Sequence, residues 1–235
     1  MTSAVFETIR VRDGWAPLLS RHAARLDRTC RALHLPEPDR PLDQIVTPWL
    51  GEGDLVVRVQ VGRGGASVQT REVPPAGLLD IIVPDVPHAA YPFKVVARGR
   101  FHAALEAATA AGADDALLVT AEGVVAEGTS WSIFWWEGER LATPPLRLGI
   151  LPGIARARVM ELVATVEREC GAADLVGSSL FATNAVRGLV PIERLNGVTL
   201  PPDSRTDRLT ARFWPDGSTF GGAHEVDTRR SQPER

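Results

Sequence analysis

Tyr91-Pro92-Phe93-Lys94-Val95-Val96-Ala97-Arg98 holds the one lysine of a 235-residue chain; every other basic residue among its 26 Lys and Arg is arginine. A guanidinium stays protonated and is a poor nucleophile. An ε-amine in a desolvated place can shed its proton and condense with a carbonyl, so the two are not interchangeable there. A coding bias toward arginine, with Lys94 as a surviving surface residue, would leave the same count. The reading therefore turns on what surrounds Lys94.

A chain of this length has room for one large domain or two small ones. Its 44% apolar and 23% charged residues place it among globular chains, and 21 Gly with 18 Pro call for many tight turns. A net charge of −3 argues against a binder of nucleic-acid backbones, although local arginine clusters can still hold a small anion. Residues 1–7 lack a basic stretch followed by an apolar one, and no apolar run spans a bilayer, so the cytoplasm is the expected compartment. Cys30 and Cys170 have neither ligand nor redox spacing and are read as core thiols on helix faces, with no metal site expected.

Outward from Lys94, the Pro84–Pro92 stretch reads as a linker between two units. Before it, residues 4–11 alternate in strand fashion, and Arg12-Asp13-Gly14 predicts a hairpin into Trp15–Leu19. Ser20 would cap a helix to about His34, with Ala23, Leu26, Cys30 and Leu33 on its buried stripe and Arg25 at the flank. A short helix toward Trp49 follows. Strands 54–61 and 66–72 flank Gly62-Arg63-Gly64-Gly65, which reads as a hairpin turn rather than a phosphate loop, and an apolar strand spans 78–83. After the linker come a helix at 101–111 and a meander of strands at 116–120, 124–127 and 131–136. Leu151-Pro152-Gly153 opens a helix to about Cys170, whose first N–H groups suit an anion. Strands at 180–183 and 189–192, a turn at Asn196-Gly197 and a helix at 206–214 complete the pattern; the tail from Pro215 is expected to be disordered.

In this order the pieces resemble fold-type IV pyridoxal phosphate (PLP) enzymes, the class IV aminotransferase family, with the nearest likeness to 4-amino-4-deoxychorismate lyase. The matching residues are Phe6-Glu7-Thr8-Ile9-Arg10, His22-Ala23-Ala24-Arg25-Leu26, Lys94 with Arg98, and Gly112 to Leu118. They continue through Gly123 to Gly128, Thr143-Pro144-Pro145-Leu146, Leu151-Pro152-Gly153-Ile154 and Thr183-Asn184. The resemblance implies an α/β (α+β) two-domain fold: a small domain over 1–86, a linker at 87–93, a large strand-rich domain over 94–214 and a disordered tail over 215–235. The cofactor would lie between the domains.

The same resemblance assigns roles. Lys94 falls on the Schiff-base lysine and Glu127 on the carboxylate that keeps the pyridine nitrogen protonated. Arg25, the Gly153-Ile154-Ala155 turn and the Asn184-Ala185 loop fall on the phosphate site. Arg10, Arg98 and Arg100 are candidate substrate-carboxylate binders. Ala155 stands where relatives often carry threonine, Ala185 lies where a hydroxyl residue is common, Ser132 and Ala97 replace asparagines, and the usual lead-in strand before Phe6 is absent. The short start and the likeness over Phe6–Pro36 favour the lyase, which would release pyruvate and 4-aminobenzoate. A branched-chain or D-amino acid aminotransferase is the alternative, and a catalytically silent PLP-binding homologue a third. A homodimer, a small amine substrate and a link to the aminodeoxychorismate synthase pathway are implied as partners, with neither nucleic acid nor membrane.

Overall fold

The alternation of Ala-Val-Phe-Glu-Thr-Ile-Arg-Val becomes strand β1 (Ala4–Val11) in a computed structural model that describes residues 4–51, 53–75 and 77–215. Helix α1 (Leu19–Ala32) and the short α2 (Leu42–Val46) follow, then the hairpin of β2 (Leu55–Gly62) and β3 (Gly65–Arg71). The three strands form an antiparallel sheet in the order β1-β2-β3. With period two, Val5, Ile9 and Val11 fall on one face beside Val57, Val59 and Val61, and Leu26, Cys30 and Ile45 cover them. Phe6, Thr8 and Arg58 fall on the other face, with Thr8 directly opposite Arg58.

Two local expectations are corrected here. Trp15–Leu19 is not a strand: Asp13 (φ 51) and Gly14 (φ 79) close a tight turn with one Arg12–Trp15 bridge, and the chain passes into α1, so β1 pairs with β2. Helix α1 starts before Ser20, with no side-chain cap. Its buried residues are His22, Arg25, Leu26, Thr29 and Cys30, so Arg25 lies on the inner face and not at its flank. The cause is Glu7, a carboxylate on the core face of β1 that draws both basic side chains inward.

The rest of the chain builds a nine-stranded sheet. Strand β4 (Leu79–Ile82) leads to the Lys94 segment, helix α3 (Gly99–Ala110), β5 (Asp115–Val119), β6 (Val125–Gly128), β7 (Ser132–Glu137) and β8 (Arg140–Thr143). Helix α4 (Ile154–Leu162), β9 (Thr165–Glu167), β10 (Leu180–Asn184), β11 (Gly188–Leu195), β12 (Val198–Thr199) and α5 (Ser204–Phe213) complete it. The strand order is β6-β5-β4-β11-β10-β7-β8-β9, with β12 on β11. Strands β6 and β7 are far apart in that order, yet only residues 129–131 join them, and Gly128 N–H donates to the Trp131 carbonyl at 2.9 Å. The sheet must curl to allow it. Ile133 and Trp135 point into the curl; Phe134 and Trp136 point outward under α4 and α5, so β7 is apolar on both faces. No helix among the described residues is long and apolar enough to cross a membrane.

The curl corrects three more readings. Strand β4, assigned from sequence to the small unit, pairs in parallel with β5 and β11 inside the large sheet. Strands β5, β6 and β7 are no meander, because β7 pairs with β10 and β8. Helix α4 ends at Leu162, since the β-branched run Val163, Thr165 and Val166 gains an edge position beside β8. Cys170 therefore sits in a loop beyond β9, not on a helix face, while Cys30 is fully buried on α1. The proline-rich stretch ahead of Lys94 is also pinned: His88 and Tyr91 donate backbone N–H groups to the carbonyls of Val119 (2.6 Å) and Gly149 (2.7 Å). Residues 216–235, where disorder was expected, lie outside the described residues.

Candidate active site

A cavity of about 940 Å³ opens between the polar face of the small sheet and the rim of the curled one. It is at the upper end of the size range of small-molecule sites. Lys94, Arg25, Arg98, Glu127, Gly153, Ile154, Ala155, Asn184 and Ala185 all line it. These residues come from five separate stretches of chain, which the fold gathers around one space.

Lys94 is placed by backbone pairing. Phe6 N–H donates to the Lys94 carbonyl and Val96 N–H to that of Ala4, so this segment extends the free edge of β1. Its Nζ stands 4.8 Å from the Phe6 ring centroid. Burial, reinforced by the positive charge of Arg25 and opposed by Glu7, brings the amine down to about 7, so it is largely unprotonated just above neutrality.

Glu127 enters from β6 and is buried. Its Oε2 accepts the Leu151 N–H at 3.2 Å, while Oε1 has no hydrogen-bond partner among the described residues. Burial pushes the carboxyl up to about 8, against the pull of Lys94 and Arg98. A buried carboxyl with an unused oxygen in a cavity is suited to a cationic N–H donor.

Arg25 reaches the cavity from α1 through a fully buried triad. Glu7 accepts from Arg25 Nε at 2.8 Å, from a second Arg25 nitrogen at 2.5 Å, and from His22 Nδ1 at 2.7 Å. Burial alone would raise Glu7, but the charge and hydrogen bonds of Arg25, with those of His22, hold it at about 2. Burial keeps His22 below its usual range. The bidentate grip fixes the guanidinium plane before any ligand arrives.

In the lining of the same cavity, α4 begins at Ile154 with no side-chain cap. Its first N–H groups have no acceptor within the helix and carry the positive end of its dipole. Gly153 makes room for Ser132: a Cβ there would lie 2.7 Å from Ser132 Oγ. Asn184 serves the adjacent β10–β11 turn, its Oδ1 accepting from Val186 and Arg187 N–H at 3.0 and 2.9 Å. The arrangement fits a phosphate held by main-chain N–H groups and one arginine, with no hydroxyl needed at Ala155.

Of the carboxylate candidates, Arg98 lines the cavity, donates to the Thr129 carbonyl and lies over Phe101. Arg10 does not line it. Two residues beyond Thr8 along β1, it has passed the cavity and pairs with Asp54 at 2.5 Å. Arg100, exposed on α3, is also outside the lining. Three arginines that sequence reasoning passed over do line the cavity: Arg58, 3.7 Å above the Phe6 ring, Arg187, 5.3 Å from that of Trp131, and the exposed Arg71. The signal for Arg58 was its place between Val57 and Val59, which turns it away from the apolar face. Glu7 was equally legible as an acid inside an apolar alternation.

The chain is 28% identical over 219 residues to the "Bifunctional aminodeoxychorismate lyase / D-amino acid transaminase" of Mycobacterium tuberculosis, covering 77% of this chain and 76% of the relative. Its fold matches a branched-chain aminotransferase from Thermoproteus uzoniensis, solved with norvaline, at TM-score 0.81 and 22% identity over 90% of this chain and 84% of that one. It also matches a hypothetical aminotransferase from Mycobacterium tuberculosis in a PLP-bound form, at TM-score 0.79 and 25% identity over 90% and 87%. With residues 4–195 matching the amino-transferase class IV family, the chain belongs to that family of enzymes.

Proposed function

We propose that this chain uses PLP and acts on a primary amine bearing two carboxylates, as a 4-amino-4-deoxychorismate lyase. The observation that carries the substrate class is a set of three half-buried cavity guanidiniums, Arg58, Arg98 and Arg187, with the exposed Arg71 as a fourth, none of which forms an ion pair among the described residues. Arg25, gripped by Glu7, is assigned to the phosphate, so these are the arginines left for carboxylates. The double name of the mycobacterial relative supports the same reading.

PLP, when bound, supplies a conjugated carbonyl and a ring that withdraws electrons from the bonds at the substrate's amine carbon. Lys94 would hold the carbonyl carbon, and its Nζ would move a proton to and from the substrate, for which a near-neutral amine is matched. Glu127 holds the ring nitrogen in its protonated form, and Arg25 with the first turn of α4 holds the phosphate. Arg58, Arg98 and Arg187 orient the substrate's carboxylates, so that loss of pyruvate leaves an aromatic 4-aminobenzoate.

The test is incubation of the PLP-loaded protein with 4-amino-4-deoxychorismate, reading 4-aminobenzoate fluorescence and pyruvate. Equal amounts of both are expected. Keto acid released from L- or D-amino acids without any 4-aminobenzoate would replace this reading with an aminotransferase.

A further inference from the structure

His88 lies on the stretch ahead of Lys94 and is buried directly behind Glu127. Its Nε2 is 3.1 Å from the Leu148 carbonyl oxygen. A carbonyl only accepts, so Nε2 carries the hydrogen, and in the neutral ring Nδ1 is then a lone pair. Nδ1 lies 3.7 Å from Glu127 Oε1, and both atoms are buried with no hydrogen-bond partner among the described residues. The gap is slightly too long for a finished hydrogen bond and too short for a water to stand in line between the two atoms. Two facing lone pairs in a dry site repel each other; a proton between them removes the repulsion and satisfies both atoms at once.

We infer that His88 is a positioning residue for Glu127, the two holding a single proton between Oε1 and Nδ1 that fixes the plane of the carboxyl. This rests on the reading of Glu127 as the partner of the cofactor's ring nitrogen. Passage of the proton across the pair, with the Oε1–H bond broken and an Nδ1–H bond formed, turns a neutral pair into carboxylate and imidazolium without exchange with solvent. Glu127 can thus become an anion beneath a cation in one short hop. The charged groups facing the pair are Arg100 toward His88, and Lys94 and Arg98 toward Glu127. Arg98 and Arg100 are cations, as is Lys94 when protonated, and these charges favour the carboxylate and disfavour the imidazolium. Burial lowers the imidazole and raises the carboxyl, in keeping with one proton held at neutral pH.

The experiment is ¹⁵N NMR of PLP-free protein with labelled histidine, followed from about pH 5 to about pH 9. The expected His88 spectrum has Nε2 protonated and Nδ1 shifted from the free-acceptor position toward the hydrogen-bonded one, the shift being lost above about pH 8 and in Glu127→Met. An Nδ1 signal at the free-acceptor position throughout the wild-type titration, or protonated in place of Nε2, overturns the inference with no variant needed. PLP titration of the same samples separates the two readings. Protein that binds PLP but shows a free Nδ1 loses only the His88 pair, and protein with the shifted Nδ1 that binds no PLP keeps the pair and loses the cofactor.

Discussion

Lys94 is tied to Phe6 twice: the Phe6 N–H donates to the Lys94 carbonyl at 3.0 Å, and the Lys94 Nζ stands 4.8 Å from the Phe6 ring centroid. The first contact fixes where the side chain begins and the second keeps its stem out of water. With burial and Arg25 bringing the amine to about 7, reaction with PLP followed by borohydride is expected to modify Lys94, found by peptide mass. The trapping rate should level off just above neutrality. A rate still climbing in the ordinary lysine range near pH 10 would sink the depressed value. Lys94→Arg is expected to leave that peptide unmodified.

The Glu7–Arg25–His22 triad gives an acid-side prediction. A carboxyl held at about 2 in the folded state, against 4.5 ordinarily, adds stability that is present above about 4.5 and lost as pH falls toward 2. Glu7→Gln leaves Arg25 without its counter-charge, at a cost on the order of 3–5 kcal/mol near neutral pH. The melting temperatures of wild type and Glu7→Gln should converge as pH falls below about 4.5. PLP affinity should also drop in the variant, because the guanidinium is no longer held. A melting gap independent of pH would show that the triad acts through packing alone.

Part of this site was legible because its residues sit at breaks in local rules: a lone lysine among arginines, a glycine opening a helix. Lys94 and the start of α4 stood out that way, whereas Glu127 and Arg25 were singled out only by the resemblance, which supplied all four roles. What sequence concealed was set by long-range pairing. Val159, Val163 and Val166 suit a helix face as well as a strand, and only the open edge of β8 decides that the chain leaves α4 at Leu162. Strand β4 reads as a last strand of the small unit until the parallel neighbours β5 and β11 claim it. Arg10 and Arg58 have the same local pattern, and only the register of β1 on β2 and the position along the strand separate them.

Glu127 gives the opposite pH dependence. Its carboxyl is raised from 4.5 to about 8 by burial, so its contribution to stability is present below about 4.5 and lost as pH rises through about 8. Glu127→Gln, neutral at every pH, should therefore melt higher than the wild type in PLP-free protein at pH 8, with little difference near pH 4. Each kcal/mol corresponds to roughly 2–4 °C in a chain of this size. Added PLP should reverse the order, since only the carboxylate can pair with a protonated ring nitrogen. Equal melting at both pH values would mean that Glu127 is solvated and carries no raised value.

Gly149 controls the approach to Lys94 from a distance. It adopts φ +77, and a Cβ there would lie 2.7 Å from the Ala90 Cβ and 2.9 Å from the Ala90 Cα. Gly149→Ala therefore combines left-handed strain of roughly 1–2 kcal/mol with overpacking of about 1–3 kcal/mol. Ala90→Gly should recover only part of this, because the backbone contact and the positive φ persist. The Gly149 carbonyl also accepts the Tyr91 N–H at 2.7 Å, and the Tyr91 hydroxyl donates to the Val95 carbonyl at 2.5 Å. Displacement at 149 is thus passed through Tyr91 to the residue next to the lysine. The expected result is a melting temperature lower by roughly 10 °C, together with weaker PLP binding and a slower borohydride trapping rate at Lys94. Should Gly149→Ala lower the melting temperature and leave the trapping rate untouched, the Tyr91 link would not be what positions Lys94, and its pairing with β1 alone would account for the site.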